Sequence, residues 1–221
     1  MNNCLIICNG ELKKRLIQKF LKSRSKLKII ATDGASDFLY RHKIIPDYIV
    51  GDLDSISQKT LSYFRKQKVV IKKIADQYKN DLEKAIRFAL GKKLSKIFVI
   101  GFLGKRFDHT INNLSILTKY SSKNIFFVDE EFIIYFWSQG VTKTLELDYK
   151  KGSAFSLQGF PSHAKVSTSG LKYNLRNEKL VFGKKEGALN IALNEIITVS
   201  LTGGKLLVFQ KHFGKISEMI S

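Results

Sequence analysis

The sequence predicts an α/β domain followed by an all-β domain. In residues 1–129, apolar runs of about five residues alternate with amphipathic segments of about ten, which is typical of βαβ units and of a Rossmann-like parallel sheet. From residue 130 to 221, alternating or β-branched runs recur about every ten residues between glycines, which is typical of an antiparallel β-sandwich. We therefore place the domain boundary near residue 130.

Hydrophobic periodicity locates the elements of the first domain. Strands are predicted over 5–8, 28–32, 48–50, 69–74, 96–100 and 125–128. Helices are predicted over 11–23, after Ala35, over 57–67, over 81–90 and around 111–117. Asn80 is the predicted N-cap of helix 81–90, because Glu83 completes a capping box. Ligands of parallel sheets bind beyond the carboxyl ends of the strands, so the loops at those ends are the place to look for a site.

Shorter runs locate the strands of the second domain, which are predicted over 132–137, 142–147, 153–158, 165–168, 179–182, 196–201 and 206–209. The glycines between them are interpreted as turns: Gly140, Gly152, Gly159, Gly170, Gly183, Gly187 and Gly203-Gly204.

Length and composition are those of a globular protein. The 221 residues are 44% hydrophobic and 26% charged, without a low-complexity tract. The longest apolar runs are far shorter than the about 20 residues that span a bilayer, and the N-terminus lacks a signal-peptide pattern, so we expect a cytoplasmic protein without membrane contact. Cys4 and Cys8 lack the CxxC spacing of redox or zinc sites and are expected in the core.

The formal net charge of +19 raises the hypothesis of nucleic-acid binding, because clustered cations neutralise phosphates. The cations are mostly lysines scattered through almost every segment, without an arginine-rich arm or zinc-finger spacing, which is more typical of solvated faces. An anionic small substrate would also suit this charge. Composition leaves both alternatives open.

Aspartates are concentrated in the loops of the first domain. Nine of the ten lie in residues 1–129, and six of these follow four successive strands: Asp33, Asp52, Asp54, Asp76, Asp81 and Asp108. Residues i and i+2 of an extended segment point to the same side, so Asp52 and Asp54 could bind one hard cation such as Mg²⁺. The alternative is a polar turn capped onto the helix near Ser57. Because carboxylates gathered at one rim repel each other, their concentration favours a metal site.

Several known site motifs are absent from the sequence: the Walker A loop, GxGxxG after the first strand, and HExxH. A nucleotide would therefore be held by a metal-rich rim and by helix N-termini instead of a Walker loop. The four histidines are dispersed. His109, beside Asp108 at a predicted helix start, is the candidate among them, with capping or packing as the alternative.

Short segments follow one another in a characteristic order: Asp33-Gly34-Ala35, Pro46-Asp47 with Gly51-Asp52-Leu53-Asp54-Ser55, the acidic loop 76–81, Gly104-Lys105-Arg106-Phe107-Asp108-His109-Thr110 with Asn113, then 170–175 and 198–202. Together, over nearly the whole chain, they resemble the thiamine pyrophosphokinase family. The resemblance implies a homodimer that transfers the pyrophosphoryl group of ATP to the hydroxyl of thiamine, giving thiamine diphosphate and AMP. Residues 1–129 would bind ATP and Mg²⁺, and residues 130–221 would bind thiamine and dimerise.

The resemblance also implies residue roles. Mg²⁺ would be bound by Asp52, Asp54 and Asp81, and the catalytic set would add Arg106 and Asp108 to these three. Contacts to the substrates are implied for Asp33, Asp76, Lys79, His109, Asn113, Tyr173 and Asn190. Tyr173 would lie in a thiamine site formed between subunits, and packing in the sandwich core is the alternative for this residue.

Phosphoryl transfer depends on positioning and charge neutralisation. Arg106, with Lys79 or Lys105, is therefore expected to stabilise the developing charge, and Asp76 or Asp108 is the candidate proton acceptor.

Two departures from the family pattern are visible. Leu189-Asn190 stands where the family commonly has Ser-Asn, and Asn80 replaces a threonine that it can still match as a helix cap. Two other functions remain as alternatives: a pyrophosphokinase for another hydroxymethyl heterocycle such as a pterin, and a basic nucleic-acid-binding protein.

Overall fold

The computed structural model describes residues 3–104, 106–138, 144–216 and 220. The chain divides into two compact units. The first consists of Met1–Ile116, Lys123–Glu130 and Gly214–Ser221, and the second consists of Leu117–Ser122 and Glu131–Phe213. Among the described residues, none of the helices combines the length and the apolar character that a membrane span requires.

The first unit contains a parallel sheet, as the sequence predicts. Its strands are β1 Asn3–Ile7, β2 Leu27–Thr32, β3 Tyr48–Gly51, β4 Val70–Lys73, β5 Lys96–Ile100 and β6 Asn124–Val128. They are ordered β6-β5-β1-β2-β3-β4, and each neighbouring pair is parallel. The strands β1 and β2 lie in the middle and are buried almost completely, which explains their continuous apolar sequences.

The helices of this unit begin close to their predicted positions. They are α1 Lys14–Leu21, α2 Asp33–Arg41, α3 Gln58–Lys66, α4 Asp81–Gly91 and α5 Phe107–Lys119, and a 3-10 turn covers Arg24–Lys26. The predicted cap of α4 is confirmed, because the Asn80 Oδ1 accepts a hydrogen bond from the Glu83 N–H at 2.9 Å. The first helix begins three residues later than predicted, since the Glu11 N–H donates to the Leu103 carbonyl instead of entering a helix.

The two cysteines are buried and free, as expected. Cys4 lies within β1, and burial raises the pKa of its thiol to about 12, so it is an unreactive packing residue.

The second unit is antiparallel. Its strands are β7 Phe132–Ser138, β8 Thr144–Asp148, β9 Ala154–Ser169, β10 Glu178–Val181, β11 Gly187–Ile191 and β12 Ile196–Lys211. The strand β12 pairs with β7, β8 and β9, and β9 also pairs with β10 and β11. Gly140 and the predicted strand start at 142 lie outside the described residues.

The sequence predicted separate strands over 153–158 and 165–168, and again over 196–201 and 206–209. This prediction is wrong, because the first two segments belong to the single strand β9 and the last two belong to the single strand β12. The pairing of β9 with β12 shifts register between Leu201 and Gly203 and again between Gly204 and Leu206. Gly204 has a φ of 78°, and a Cβ there would lie 2.1 Å from the His163 carbonyl oxygen. These glycines therefore mark bulges and close backbone approaches in a continuing strand rather than turns.

Both ends of the long strands contribute to one core. The N-terminal half of β12 supplies Ile197 and Val199, and its C-terminal half supplies Leu206 and Val208. They pack with Phe155 of β9 and with Trp137, Leu147 and Leu180 of the neighbouring strands. The strand β11 was missed, because its sequence has no β-branched residue before Ile191 and its register breaks between Gly187 and Asn190.

Asp47 joins β2 to the segment that enters β3, so its removal should lower the stability of the protein. Its Oδ2 accepts from the Ile29 N–H at 2.8 Å and lies 2.6 Å from the Arg24 guanidinium. Asp47→Ala leaves a backbone donor without its acceptor and should lower the free energy of unfolding by about 1 to 3 kcal/mol. Lys28→Ala, which removes only an exposed ion pair to Asp47, should cost less than about 1 kcal/mol. Equal losses for the two variants in urea denaturation would contradict this role of Asp47.

Candidate active site

The loops at the carboxyl edge of the parallel sheet surround a cavity of about 400 Å³. The loop after β1 runs beside the loop after β5, because the Gly10 N–H donates to the Gly101 carbonyl at 2.8 Å and the Glu11 N–H donates to the Leu103 carbonyl. Seven of the predicted site residues line this cavity: Asp52, Asp54, Lys79, Asp81, Arg106, His109 and Asn113.

Three carboxylates form a cluster that could hold a metal ion. One oxygen from each of Asp33, Asp52 and Asp81 lies within 4.8 Å of the others. Asp52 and Asp81 are two of the three metal ligands that the family resemblance implies, whereas Asp33 was expected to contact substrate. The third implied ligand, Asp54, lines the cavity, where its carboxylate accepts from the Ser55 hydroxyl at 2.9 Å.

Asp33 fixes the shape of the neighbouring Gly51–Asp54 loop. It is the first residue of α2 and is fully buried. Its Oδ1 accepts from the Gly34 N–H at 2.8 Å, and its Oδ2 accepts from the Leu53 N–H at 3.0 Å. Leu53 has a φ of 69°, which is unfavourable for a branched residue and is held by this hydrogen bond. A Cβ on Gly51 would lie 2.7 Å from the Asp33 Cγ, so only glycine leaves room for the carboxyl group.

The environment shifts the pKa values of two of these carboxyl groups in opposite directions. Burial and, as the next largest cause, the nearby charge of Asp81 raise the pKa of Asp33 to about 7, against the opposing hydrogen bond from the Gly34 N–H. A hydrogen bond from Lys84 lowers the pKa of Asp52 to about 2. Asp52 is therefore ionised at neutral pH, whereas Asp33 gains its charge near neutrality.

Lys84 is a member of the site that the sequence analysis missed. Its Nζ lies 2.6 Å from the Asp52 Oδ2 and 3.2 Å from the Asp81 Oδ1. Burial alone would lower the pKa of Lys84, but the hydrogen bonds and charges of the two aspartates outweigh it and raise that pKa. Its spacing of three residues from Asp81 in a helix is a recognisable ion-pair signal. That signal is common on exposed helices, and burial is what distinguishes this lysine.

The charge and chemistry of the cluster suit a hard divalent cation. When Asp33 is ionised, three carboxylates and one ammonium group leave two negative charges uncompensated. Carboxylate oxygens are the protein ligands that Mg²⁺ prefers, and it binds through one or two of them together with phosphates and water. The residues present therefore fit a magnesium ion.

Two cationic groups at the cavity are paired with carboxylates. The Arg106 guanidinium donates through Nε and a terminal nitrogen to both oxygens of Asp108, and the Lys79 ammonium pairs with Asp76. These ion pairs lower the pKa of both Asp76 and Asp108. Asp108 is exposed and Asp76 is half-buried, and their lowered pKa values make both weaker proton acceptors than free aspartates. Lys105, the other predicted cation, lies outside the described residues.

Asn113 links two elements of the site. This buried residue of α5 donates through Nδ2 to the Phe102 carbonyl at 2.9 Å, and its Oδ1 accepts from the Asn80 Nδ2 at 3.2 Å. Asn80 caps α4, the helix whose first residue is Asp81. Asn113 thus positions the cap beside the carboxylate cluster.

The remaining predicted residues, Tyr173 and Asn190, contact each other in the second unit. The Asn190 Oδ1 accepts from the Tyr173 N–H at 3.0 Å, and its Nδ2 donates to the Tyr173 carbonyl at 2.7 Å. The Tyr173 residue is 61% exposed, so the alternative that it packs in the core is wrong. Leu189, at the position of the family's serine, is 89% exposed with a φ of 59°. Asn190 therefore fixes the backbone that presents the Tyr173 ring.

Comparisons with known proteins point to one family. The family model described as "Thiamin pyrophosphokinase, catalytic domain" matches residues 18–128, and the model described as "Thiamin pyrophosphokinase, vitamin B1 binding domain" matches residues 143–206. Thiamine pyrophosphokinase 2 of Arabidopsis thaliana is 31% identical, with 88% of this chain and 81% of that protein covered. Thiamin pyrophosphokinase 1 of Caenorhabditis elegans is 29% identical, with 94% and 89% covered.

Solved structures show the same fold. The crystal structure of thiamine pyrophosphokinase from Bacillus subtilis has a TM-score of 0.80 at 24% identity and covers 95% of this chain and 99% of its own. Thiamin pyrophosphokinase from Candida albicans has a TM-score of 0.79 at 22% identity and covers 95% and 89%. With two family models matched in order and a relative above 30% identity over most of its length, the chain belongs to the thiamine pyrophosphokinase family.

Proposed function

We propose that this enzyme transfers the pyrophosphoryl group of ATP to the hydroxyl of thiamine, giving thiamine diphosphate and AMP. The observation that carries the proposal is the carboxylate cluster beside cationic groups in one cavity, within the segment that matches the family's catalytic domain. The curated relatives at about 30% identity are thiamine pyrophosphokinases, which makes a pterin kinase or a nucleic-acid-binding protein a poorer explanation of the same site.

Asp52 and Asp81 are the proposed ligands of Mg²⁺, because the family resemblance and the carboxylate cluster both include them. Asp33 completes the cluster in this structure, and Asp54 completes the set that the resemblance implies. A bound Mg²⁺ ion would neutralise phosphate oxygens and act as a Lewis acid on the transferred group.

The chain's own residues supply the rest of the proposed mechanism. Arg106 and Lys79 line the cavity and provide positive charge for phosphate oxygens. The N-terminus of α4 faces the same cavity through Asn80 and Asp81, and the positive end of the helix dipole favours an anion there. Neither Asp76 nor Asp108 is assigned as the base, because ion pairs lower the pKa of both.

The second unit is proposed to bind thiamine, as part of a homodimer with the active site between subunits. The exposed ring of Tyr173 supports this role, because an aromatic face attracts the cationic thiazolium by about 0.5 to 2 kcal/mol. The assignment of residues 1–129 to ATP and Mg²⁺ and of 130–221 to thiamine and dimerisation belongs to the same proposal. So do the Rossmann-like and β-sandwich descriptions of the two regions.

Thiamine-dependent release of AMP from ATP is the direct test of the function. Asp52→Asn should reduce kcat at least about 100-fold, because a metal ligand contributes several kcal/mol to transition-state stabilisation. Asp37→Asn is the matched control and should keep nearly full activity, since Asp37 accepts a hydrogen bond from the Ser57 hydroxyl and belongs neither to the cavity lining nor to the carboxylate cluster. AMP release that does not need thiamine, or full activity of Asp52→Asn, would refute the assignment.

The raised pKa of Asp33 predicts how stability varies with pH in the metal-free protein. Between the unfolded value of 3.8 and the folded value of about 7, the folded state binds the proton more tightly, so stability falls as pH rises through this range. Asp33→Asn removes this loss. Melting temperatures are to be measured in EDTA at pH 5 and at pH 8. The melting temperature of Asp33→Asn minus that of wild type should be higher at pH 8 than at pH 5 by about 2 °C or more. A constant difference between the two proteins would contradict the shift.

If the Tyr173 ring contacts thiamine, its removal should weaken thiamine binding. Tyr173→Ala should raise KM for thiamine roughly 3- to 30-fold, which corresponds to the energy of the aromatic contact. Tyr173→Phe keeps the ring and should leave KM nearly unchanged. Because the side chain is exposed, neither variant should lose much thermal stability. An unchanged KM in Tyr173→Ala would contradict the contact.

Subunit mixing tests the shared site. An inactive Asp52→Asn chain combined with an inactive Tyr173→Ala,Asn190→Ala chain should regain activity in the heterodimer. Verified subunit exchange without recovery would rule out a site that draws these residues from different chains.

A further inference from the structure

Lys84 is a buried cation that the proposed mechanism does not use. It lies one turn into α4 and is only 3% exposed. Lysine is almost never buried to this extent without a charged partner. Burial of its ammonium group therefore depends on the carboxylates that it contacts.

The contacts of Lys84 coincide with the carboxylate cluster. Its Nζ donates to the Asp52 Oδ2 at 2.6 Å and to the Asp81 Oδ1 at 3.2 Å. These two aspartates, with Asp33, offer the oxygens that lie within 4.8 Å of one another. One ammonium group thus neutralises part of the negative charge that a divalent cation would also neutralise.

We propose that Lys84 is a positioning residue that acts as an internal counter-ion, which holds Asp52 and Asp81 together in the metal-free protein and weakens the binding of a divalent cation at the same carboxylates. The proposal rests on the proposed function only in assigning a metal to this cluster. Two consequences follow from simple electrostatics. Without Lys84 the carboxylates repel each other more strongly, so the metal-free protein loses stability. Without the competing positive charge, the cluster binds a divalent cation more tightly.

A lysine that serves only to pack α4 would behave differently. Its removal would lower stability by the same amount with and without metal, and it would leave metal affinity unchanged. The dependence of stability on metal therefore separates the two roles, because a ligand that binds only the folded state stabilises it in proportion to its affinity.

The test uses Mn²⁺ and the full-length chain without nucleotide or thiamine, with binding followed by the EPR signal of free Mn²⁺. Lys84→Met removes the charge and keeps an unbranched side chain. We expect its Kd for Mn²⁺ to fall about 10-fold or more, since a like charge within a few ångströms shifts the equilibrium of a cation by at least that factor. Its melting temperature in EDTA should fall below wild type, and saturating Mn²⁺ should abolish most of the difference.

Two controls isolate the position of the charge. Lys92→Met removes the same charge eight residues further along, at the C-cap of α4, where Lys92 is exposed near the Phe88 ring. The helix rise places it about 12 Å away, where salt screens the interaction, so its Kd for Mn²⁺ should match wild type. Lys84→Arg keeps the charge and should keep the wild-type affinity within about twofold, because the net charge beside Asp52 and Asp81 is unchanged.

The outcomes separate this inference from the proposed function. An unchanged or weaker Mn²⁺ affinity in Lys84→Met would overturn it, as would an equal loss of melting temperature with and without Mn²⁺. A Lys84→Met chain that does not fold even with saturating Mn²⁺ would also overturn it and make Lys84 a structural residue. If the Mn²⁺ results are as expected but no thiamine-dependent AMP release is found, the proposed function fails and the counter-ion role stands.

Discussion

The repulsion among three carboxylates at the edge of the parallel sheet is the constraint on which the rest of the first unit's site depends. Asp33 begins α2 directly after β2, Asp52 follows β3 and Asp81 begins α4, and the parallel topology brings the three within a few ångströms. Different contacts stabilise them. Backbone N–H groups bind Asp33, Lys84 binds both Asp52 and Asp81, and the start of α4 also favours the charge of Asp81.

These stabilising contacts explain why particular residues occur at positions that look unrelated in the sequence. Position 51 requires glycine, because the Asp33 carboxyl group packs where the Cβ of another residue would be. Leu53 has a positive φ, and in this conformation its N–H donates to the same carboxyl group. Asn113 holds Asn80, and Asn80 caps the helix that begins with Asp81. The site therefore extends beyond the residues that face the cavity, and its precision depends on hydrogen bonds between neighbouring loops.

The sequence predicted local features well and tertiary ones less well. The strands and helices of the first unit were found because apolar periodicity is set by burial along each element. The long strands β9 and β12 were each divided in two, since a glycine with positive φ is equally compatible with a turn and with a bulge, as Gly204 shows. Asp33 was expected at the acidic rim but not among the metal ligands, and Lys84 was not expected at the site, because their burial and distances arise only when the chain folds.

The chain's net charge of +19 and its carboxylate cluster act on a polyphosphate in opposite ways. At a distance, the excess of cations attracts an anionic nucleotide and raises its local concentration. Near the cluster, Asp52 and Asp81 repel phosphate oxygens unless positive charge lies between them. Lys84 supplies one such charge in the metal-free state, and two negative charges remain once Asp33 is ionised. A nucleotide that arrives with its own divalent cation therefore meets an attractive cluster, whereas a metal-free polyphosphate meets a repulsive one. The carboxylates thus favour the metal complex of the nucleotide over the free anion, a selection that a cavity lined only by lysine could not make.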